Sequence, residues 1–167
     1  MSRIEVIKQS DLSDSDLKTI IELKQCAWDY DFEKQEAWIN DNLSADDFHV
    51  VMFQDADAIA YLNLININID INDCTYSALG IGNVCSKVKG KGHGKLLMSL
   101  VNQYIETKNC IGVLLCKHPL VSFYEKVNWR LINQVEISSK INMNDINMMF
   151  YNLDLDIDRI KYQGRNF

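Results

Sequence analysis

Proline is almost missing from this chain, one in 167 residues, and glycine is scarce at seven. So few of either leave no room for a flexible linker, and one domain over residues 1–167 is expected rather than two. No apolar run approaches the roughly 18 residues that cross a bilayer. The opening Met1-Ser2-Arg3-Ile4-Glu5 carries an acid too early for a secretory leader, with no apolar stretch behind it. A positive excess is missing as well: 17 basic against 23 acidic side chains give a net charge of −6 and a pI near 5.0. That argues against a nucleic-acid-binding surface as the main business, and leaves room for a local basic site. Paired cysteines are the last absence. Cys26, Cys74, Cys85, Cys110 and Cys116 are odd in number, widely spaced and without a C-x-x-C. They are expected as buried free thiols in a reducing compartment, the cytosol, with neither a disulfide framework nor a zinc site. What is there is a chain 47% hydrophobic, long enough to bury roughly 70% of its unfolded surface.

The hydrophobic pattern sets out the elements. Arg3 to Gln9 alternate weakly as a first strand. Ser13-x-x-Asp16 has the form of a capping box, with Leu17, Ile20, Ile21 and Trp28 following at helical spacing. A second helix over Glu33 to Leu43 is expected to bury Trp38 and Ile39. Phe48 to Phe53 and Ala58 to Ile69 form two strands around the turn Gln54-Asp55-Ala56-Asp57, and Asn72-Asp73 turns the chain into a strand over Thr75 to Val88. From Gly94 the period changes: Leu96, Leu97, Leu100, Val101, Tyr104 and Ile105 make one helical stripe. Ile111 to Cys116 is all apolar, as a central strand is. Pro119 opens a helix through Lys126, and strands near Trp129 to Ile137 and Ile146 to Leu155 complete the order.

Five of the seven glycines fall between positions 80 and 94: Gly80, Gly82, Gly90, Gly92 and Gly94. The run Lys89-Gly90-Lys91-Gly92-His93-Gly94-Lys95 lies between a predicted strand and a predicted helix. Glycines there let backbone N–H groups converge, and the helix N-terminus adds about half a positive charge, so the loop suits a phosphate. A solvated basic turn is the plainer alternative. A Walker loop does not fit, because Lys89 stands at its first glycine position and Leu96 follows Lys95; G-x-G-x-x-G fails in both registers, at Lys95 and at Leu97.

The segment Lys89-Gly90-Lys91-Gly92-His93-Gly94 resembles the R/Q-x-x-G-x-G/A loop of the GNAT acetyltransferases, with Lys89 in place of the usual Arg or Gln. The run Leu114-Leu115-Cys116-Lys117-His118-Pro119-Leu120-Val121-Ser122-Phe123-Tyr124-Glu125-Lys126-Val127-Asn128-Trp129 resembles that family's strand and helix ending in F-Y-E-x-x-G-W/F, with Asn128 at the glycine position. Asn is the next-best residue for a left-handed cap. Lys117 and His118 stand where the family often has an Asn that touches pantetheine. Within the family, the Leu-Leu-Cys run and the Asn128-Trp129 ending look most like the aminoglycoside 2'-N-acetyltransferase and nodulation acyltransferase branch.

The resemblance implies a fold, a cosubstrate and a chemistry. The fold is α/β (α+β), a mixed, mostly antiparallel central sheet of about seven strands flanked by about four helices. The cosubstrate is acetyl-CoA, its pyrophosphate held by Lys89, Gly90, Lys91, Gly92, His93, Gly94 and Lys95 and its pantetheine and thioester by Asn83 and Val84. Tyr124 matches the tyrosine near the CoA sulfur. With an ordinary pKa of about 10 against a thiol's roughly 8.5, it suits a hydrogen bond to the leaving thiolate and the part of a proton donor that is not a strong acid. The implied reaction is direct transfer of acetyl to a primary amine of a small molecule, without an acyl-enzyme, although Cys85 and Cys116 invite a covalent route. Alternating acids and aromatics at Trp28-Asp29-Tyr30-Asp31-Phe32-Glu33 suit a cationic acceptor. Ala78 to Asn83 supply no carboxylate as a general base, and His49 opens a strand where histidine is usually structural. Three alternatives stay open: a CoA-binding module without turnover, transfer of longer acyl chains, and transfer to protein N-termini. The family often pairs through its C-terminal strands, so a homodimer is compatible with this reading; membrane and nucleic acid are not expected partners.

Overall fold

The computed structural model describes residues 1–133 and 135–167. The chain forms two compact units, one of residues 1–65 and 82–100, the other of 66–81 and 101–167. Two long strands, β3 (Asp57–Ile71) and β4 (Cys74–Ser86), and the helix α3 (His93–Thr107) run from one unit into the other.

In the first unit, β1 (Ser2–Lys8) pairs antiparallel with β2 (Phe48–Gln54), and β2 with β3. The tight turn after β2 puts Asp55 at a positive φ of 54°. Between β1 and β2 come α1 (Asp14–Gln25) and α2 (Phe32–Asn42). The expected capping box is present: Ser13 accepts from the Asp16 N–H at 3.1 Å, and the Asp16 carboxylate accepts from the Ser13 N–H at 3.2 Å. Such a cap contributes about 1 kcal/mol. Asp31 caps α2 by accepting from the Lys34 N–H at 2.9 Å. The helices bury Ile20, Ile21, Leu23 and Ile39 against Val51, Tyr61 and Cys85. Helix α1 stops at Gln25, so Trp28 lies beyond it and packs against this core from the connecting segment.

In the second unit, β3 and β4 meet over the two-residue turn Asn72-Asp73, both at positive φ (50° and 64°). Ala78–Ile81 of β4 pair parallel with Ile111–Leu114 of β5 (Ile111–Lys117), and β5 pairs antiparallel with β8 (Ile146–Tyr151). The expected helix from Pro119 is a 3-10 turn, His118–Leu120, followed by α4 (Val121–Glu125). The single strand expected near Trp129 to Ile137 is instead two, β6 (Arg130–Leu131) and β7 (Glu136–Ser139), and position 134 of that expectation lies outside the described residues. A further strand, β9 (Arg159–Tyr162), pairs parallel with β7 and antiparallel with β3. The described residues therefore hold nine strands rather than about seven, with four α-helices. Both surplus strands are short: β7 has four residues, and β9 alternates buried Ile160 and Tyr162 with exposed Arg159 and Lys161 over only four. Asn72 holds β9: its amide oxygen accepts from the N–H groups of Asp158 (2.8 Å) and Arg159 (3.2 Å), and its amide nitrogen donates to the Asp156 carbonyl at 2.8 Å.

Candidate active site

The strand–loop–helix segment of the first unit carries the expected CoA contacts in one continuous stretch. Asn83 sits inside β4 at a φ of 54°. A left-handed residue in mid-strand breaks the side-to-side alternation, and Asn83 and Val84 are both half-buried in succession. The Asn83 amide nitrogen donates to the Asn63 amide oxygen at 2.6 Å, anchoring the irregularity to β3. After β4, Gly90 and Gly92 take positive φ values of 78° and 77°. Nothing lies within 4 Å of where a Cβ would be on either, so the backbone turn, not crowding, is what calls for glycine.

Helix α3 then begins at His93, so the N–H groups of His93, Gly94 and Lys95 have no acceptor within it, and Leu96, bonded to the Gly92 carbonyl at 3.0 Å, is the first that does. Lys89, Lys91 and Lys95 are exposed, and among the described residues none of them is paired with a carboxylate. Free N–H groups, a helix N-terminus and three unpaired ammonium groups make a site for a multiply charged phosphate. The residues present fit the pyrophosphate of CoA.

The same unit contains a cavity of about 380 Å³, lined by Lys24, Trp28, Tyr30, Lys34, Gln35, Trp38 and Asn83. Trp28 and Tyr30 reach it as the acceptor-wall expectation requires. The acids of that segment do not: Asp29, Asp31 and Glu33 are exposed and absent from the lining. Asp31 is used as the α2 cap and faces the Lys34 ammonium at 3.8 Å. Gln35 is buried and donates from its amide to the Trp28 carbonyl at 3.0 Å, fixing the indole's backbone.

Lys24 is the residue that sequence reasoning passed over. It is 2% exposed, with its ammonium 4.0 Å from the centre of the Trp38 ring. Burial lowers its pKa to about 8. A signal for it existed: Lys24 falls at i+4 from Ile20 and i+3 from Ile21, a cation on the apolar stripe of α1.

His49 is structural, as a lone strand histidine usually is. It is fully buried, with Nδ1 2.8 Å from the Tyr61 hydroxyl and Nε2 2.5 Å from the Gln9 side-chain oxygen. That arrangement puts the proton on Nε2 and has Nδ1 accept from Tyr61. Burial first, then the Lys24 charge, lower its pKa to about 4, so the ring stays neutral. Cys85 is buried, and burial pushes its thiol up to about 12; Cys26 and Cys74 are exposed instead of buried as expected, because one caps the end of α1 and the other opens β4 straight after a turn.

Tyr124 belongs to the second unit. It is buried in α4, its ring edge-on to Phe123 at 5.0 Å between centres. The helix ends just beyond it in a Schellman arrangement: the Trp129 N–H donates to the Tyr124 carbonyl at 3.1 Å and the Asn128 N–H to the Glu125 carbonyl at 3.0 Å. Asn128 takes a φ of 68°, the left-handed geometry expected where the resembled motif has glycine. Trp129 in turn donates from its indole N–H to Asn102 at 2.9 Å, and Asn102 donates to the Val127 carbonyl at 2.8 Å. A Cβ on Gly112 would come within 2.6 Å of the Trp129 ring, so β5 needs glycine there. Burial raises the Tyr124 pKa, with the nearby Cys116 adding to it. Cys116 is itself buried, and its pKa is raised too.

A family model described as an acetyltransferase (GNAT) domain matches residues 9–132. Among curated proteins, no sequence matches. Solved structures do. ElaA of Escherichia coli is similar at 20% identity and a TM-score of 0.59, covering 90% of this chain and 99% of its own. An acyl-CoA N-acyltransferase from Pseudomonas aeruginosa is similar at 18% identity and a TM-score of 0.61, with the same coverage of 90% and 99%. The Bacillus subtilis N-acetyltransferase YlbP, solved in complex with coenzyme A, is similar at 13% identity and a TM-score of 0.57, covering 95% of this chain and all of its own. Among the described residues no helix is long and apolar enough to cross a membrane.

Proposed function

Because this chain belongs to the GNAT acetyltransferase family, an acyl-CoA-dependent family of N-acetyltransferases, we propose that it moves an acetyl group from acetyl-CoA to a primary amine of a small molecule by direct attack in a ternary complex. The observation that carries this reading is the β4–loop–α3 segment, with Asn83, Gly90 and Gly92 left-handed and the first N–H groups of α3 free. Lys89, Gly90, Lys91, Gly92, His93, Gly94 and Lys95 take the pyrophosphate; Asn83 and Val84 take the pantetheine and thioester. The reading treats residues 1–167 as one N-acetyltransferase domain and carries with it the branch resemblance drawn from Leu114, Leu115, Cys116, Asn128 and Trp129.

The amine nitrogen attacks the thioester carbonyl carbon; the C–N bond forms, the C–S bond breaks and its electron pair leaves on sulfur. The nitrogen loses one proton, through water, and the sulfur gains one. Tyr124 donates a hydrogen bond to the departing thiolate, and its raised pKa keeps the hydroxyl protonated while it does so. Both candidate nucleophilic cysteines, Cys85 and Cys116, are buried with raised pKa values, which favours direct attack over an acyl-enzyme. The acidic wall for a cationic acceptor has no support in the cavity, whose lining contains two lysines and no carboxylate, so the positive charge is dropped from the proposal.

Thermal unfolding with acetyl-CoA, ATP and NAD tests the cradle. Acetyl-CoA at 100 times its dissociation constant adds about 2.7 kcal/mol, a rise of roughly 5 to 10 °C in Tm for a domain of this size. Shifts with ATP or NAD and none with acetyl-CoA overturn the assignment. Replacing Tyr124→Phe is expected to lower kcat about 10- to 100-fold, the loss of one hydrogen bond to a charged group, and to leave the acetyl-CoA shift intact. Unchanged turnover removes the Tyr124 hydrogen bond from the mechanism. A shift with no turnover in either form favours the non-catalytic module, and faster transfer from longer acyl-CoA revises the acyl group.

A further inference from the structure

We infer that the Lys24 cavity binds the carboxylate of its ligand, so that the acceptor is an amine with a negatively charged group and an aromatic or apolar body. The inference deepens the acyl-transfer reading and rests on it for the amine; the anion half stands on the cavity alone. Trp28, Trp38 and Tyr30 supply flat apolar walls. Lys24 lines the same cavity, and among the described residues no carboxylate is within ion-pair distance of it. A buried ammonium against an indole face, with the protonated Cys85 thiol and the neutral His49 ring near it, lacks the paired anion that buried charges ordinarily have. In a chain with net charge −6, a cavity with two cations and no acid is not a sample of the average surface.

The count of charges selects the anion. Lys34 is already opposite Asp31, which leaves Lys24 as the one uncompensated charge. One charge matches a carboxylate, and a phosphate dianion would remain half unpaired. Gln35 is tied to the Trp28 carbonyl and Asn83 to Asn63, so the polar part of the lining is held in place before a ligand arrives, which lowers the ordering cost of binding.

Tryptophan fluorescence reports binding without any acyl donor, since two of the three tryptophans line the cavity. The probes are 3-phenylpropionate, its neutral amide and 2-phenylethylamine. The carboxylate is expected to saturate the signal with at least tenfold higher affinity than the other two. Lys24→Met is expected to weaken the carboxylate at least tenfold and to leave the amide unchanged, with Lys24→Arg recovering part of the loss. Should the Met variant not fold, the ranking of the three probes on the unmodified protein decides alone. Equal or tighter binding of 2-phenylethylamine overturns the inference, as does carboxylate binding that Lys24→Met leaves untouched.

A second measurement separates this from the acyl-transfer reading: release of the CoA thiol from acetyl-CoA with phenylalanine, phenylalaninamide and 2-phenylethylamine. Carboxylate binding with no thiol release from any amine keeps the anion site and removes acyl transfer. Thiol release fastest with 2-phenylethylamine keeps acyl transfer and removes the anion site.

Discussion

The Lys89–Lys95 loop and the Lys24 cavity are both positive in an acidic chain, and they are built by opposite means. The loop keeps its three ammonium groups in water, spends no desolvation energy on them, and gets direction from backbone N–H groups that left-handed glycines and the start of α3 turn outward. The cavity withdraws one ammonium from water, holds it against Trp38, and accepts a depressed pKa as the consequence. A loop of the first kind suits a large, strongly hydrated anion whose affinity comes from many weak contacts. A cavity of the second kind suits a small group whose single charge must be matched once, in a place where water does not screen it.

Protonation gives the largest expected differences. His49, buried and neutral, has a pKa lowered from 6.5 to about 4. The unfolded chain therefore binds a proton that the folded one refuses, so stability contributed by the neutral ring is complete above pH 6.5 and lost as pH falls toward 4, up to about 3 kcal/mol. Urea titrations across that range are expected to show the slope, and its absence in a His49→Gln variant assigns it. Lys24 shifts in the same direction, from 10.5 to about 8. Its destabilisation is fully present below pH 8 and relieved as pH rises to 10.5. Lys24→Met is accordingly expected to be more stable than the unmodified protein by about 2 kcal/mol at pH 7, a margin that shrinks to nothing near pH 10.5. Cys85, whose raised pKa makes stability fall above pH 9, interacts with the Lys24 charge, so the difference between the two proteins is read most cleanly below that pH, where the thiol is neutral in both.

The loop is expected to respond to different changes. Gly92→Val forces a β-branched residue to a φ of 77°, at about 1 to 2 kcal/mol. Acetyl-CoA affinity is expected to fall about tenfold by calorimetry, with 3-phenylpropionate binding unchanged. Raising salt from about 0.1 to about 0.5 M shortens the screening length more than twofold. Acetyl-CoA affinity is expected to drop a few-fold and that of 3-phenylpropionate less than twofold. Equal salt slopes for the two ligands would erase the distinction between an exposed and a buried cation.

What the sequence made legible is what is local. The Ser13–Asp16 box, the Asn72-Asp73 turn, the glycine loop and the left-handed Asn128 each depend on a handful of neighbouring residues, and each is where the residues indicate. The cavity depends on α2 lying over α1. Only that packing turns Lys24 from a solvated helix lysine into a buried one, brings Trp38 to its ammonium, and uses Asp31 as a cap in place of a ligand contact. The stripe of α3 shows the same limit: Leu97, Val101 and Ile105 are buried as expected, yet Leu96 is 39% exposed and Met98 takes a core place. Strands β6, β7 and β9, of two to four residues each, are defined by partners distant in sequence, and even the alternation of buried Ile160 and Tyr162 in β9 spans too few residues to stand out as a period.

One side chain reinforces the ladders that hold the last of these strands. Asn72 spends both halves of its amide on residues 156–159, and its own N–H donates to the Arg159 carbonyl at 3.0 Å. Those bonds close a loop of more than eighty residues beside only two residue pairs between β3 and β9, so much of the entropy of that closure falls on a single turn. In hydrogen-exchange terms, β9 and its partner β7 therefore form a unit that opens together and ahead of the β5–β8 pair, with the amides of Asp158 and Arg159 as its clock.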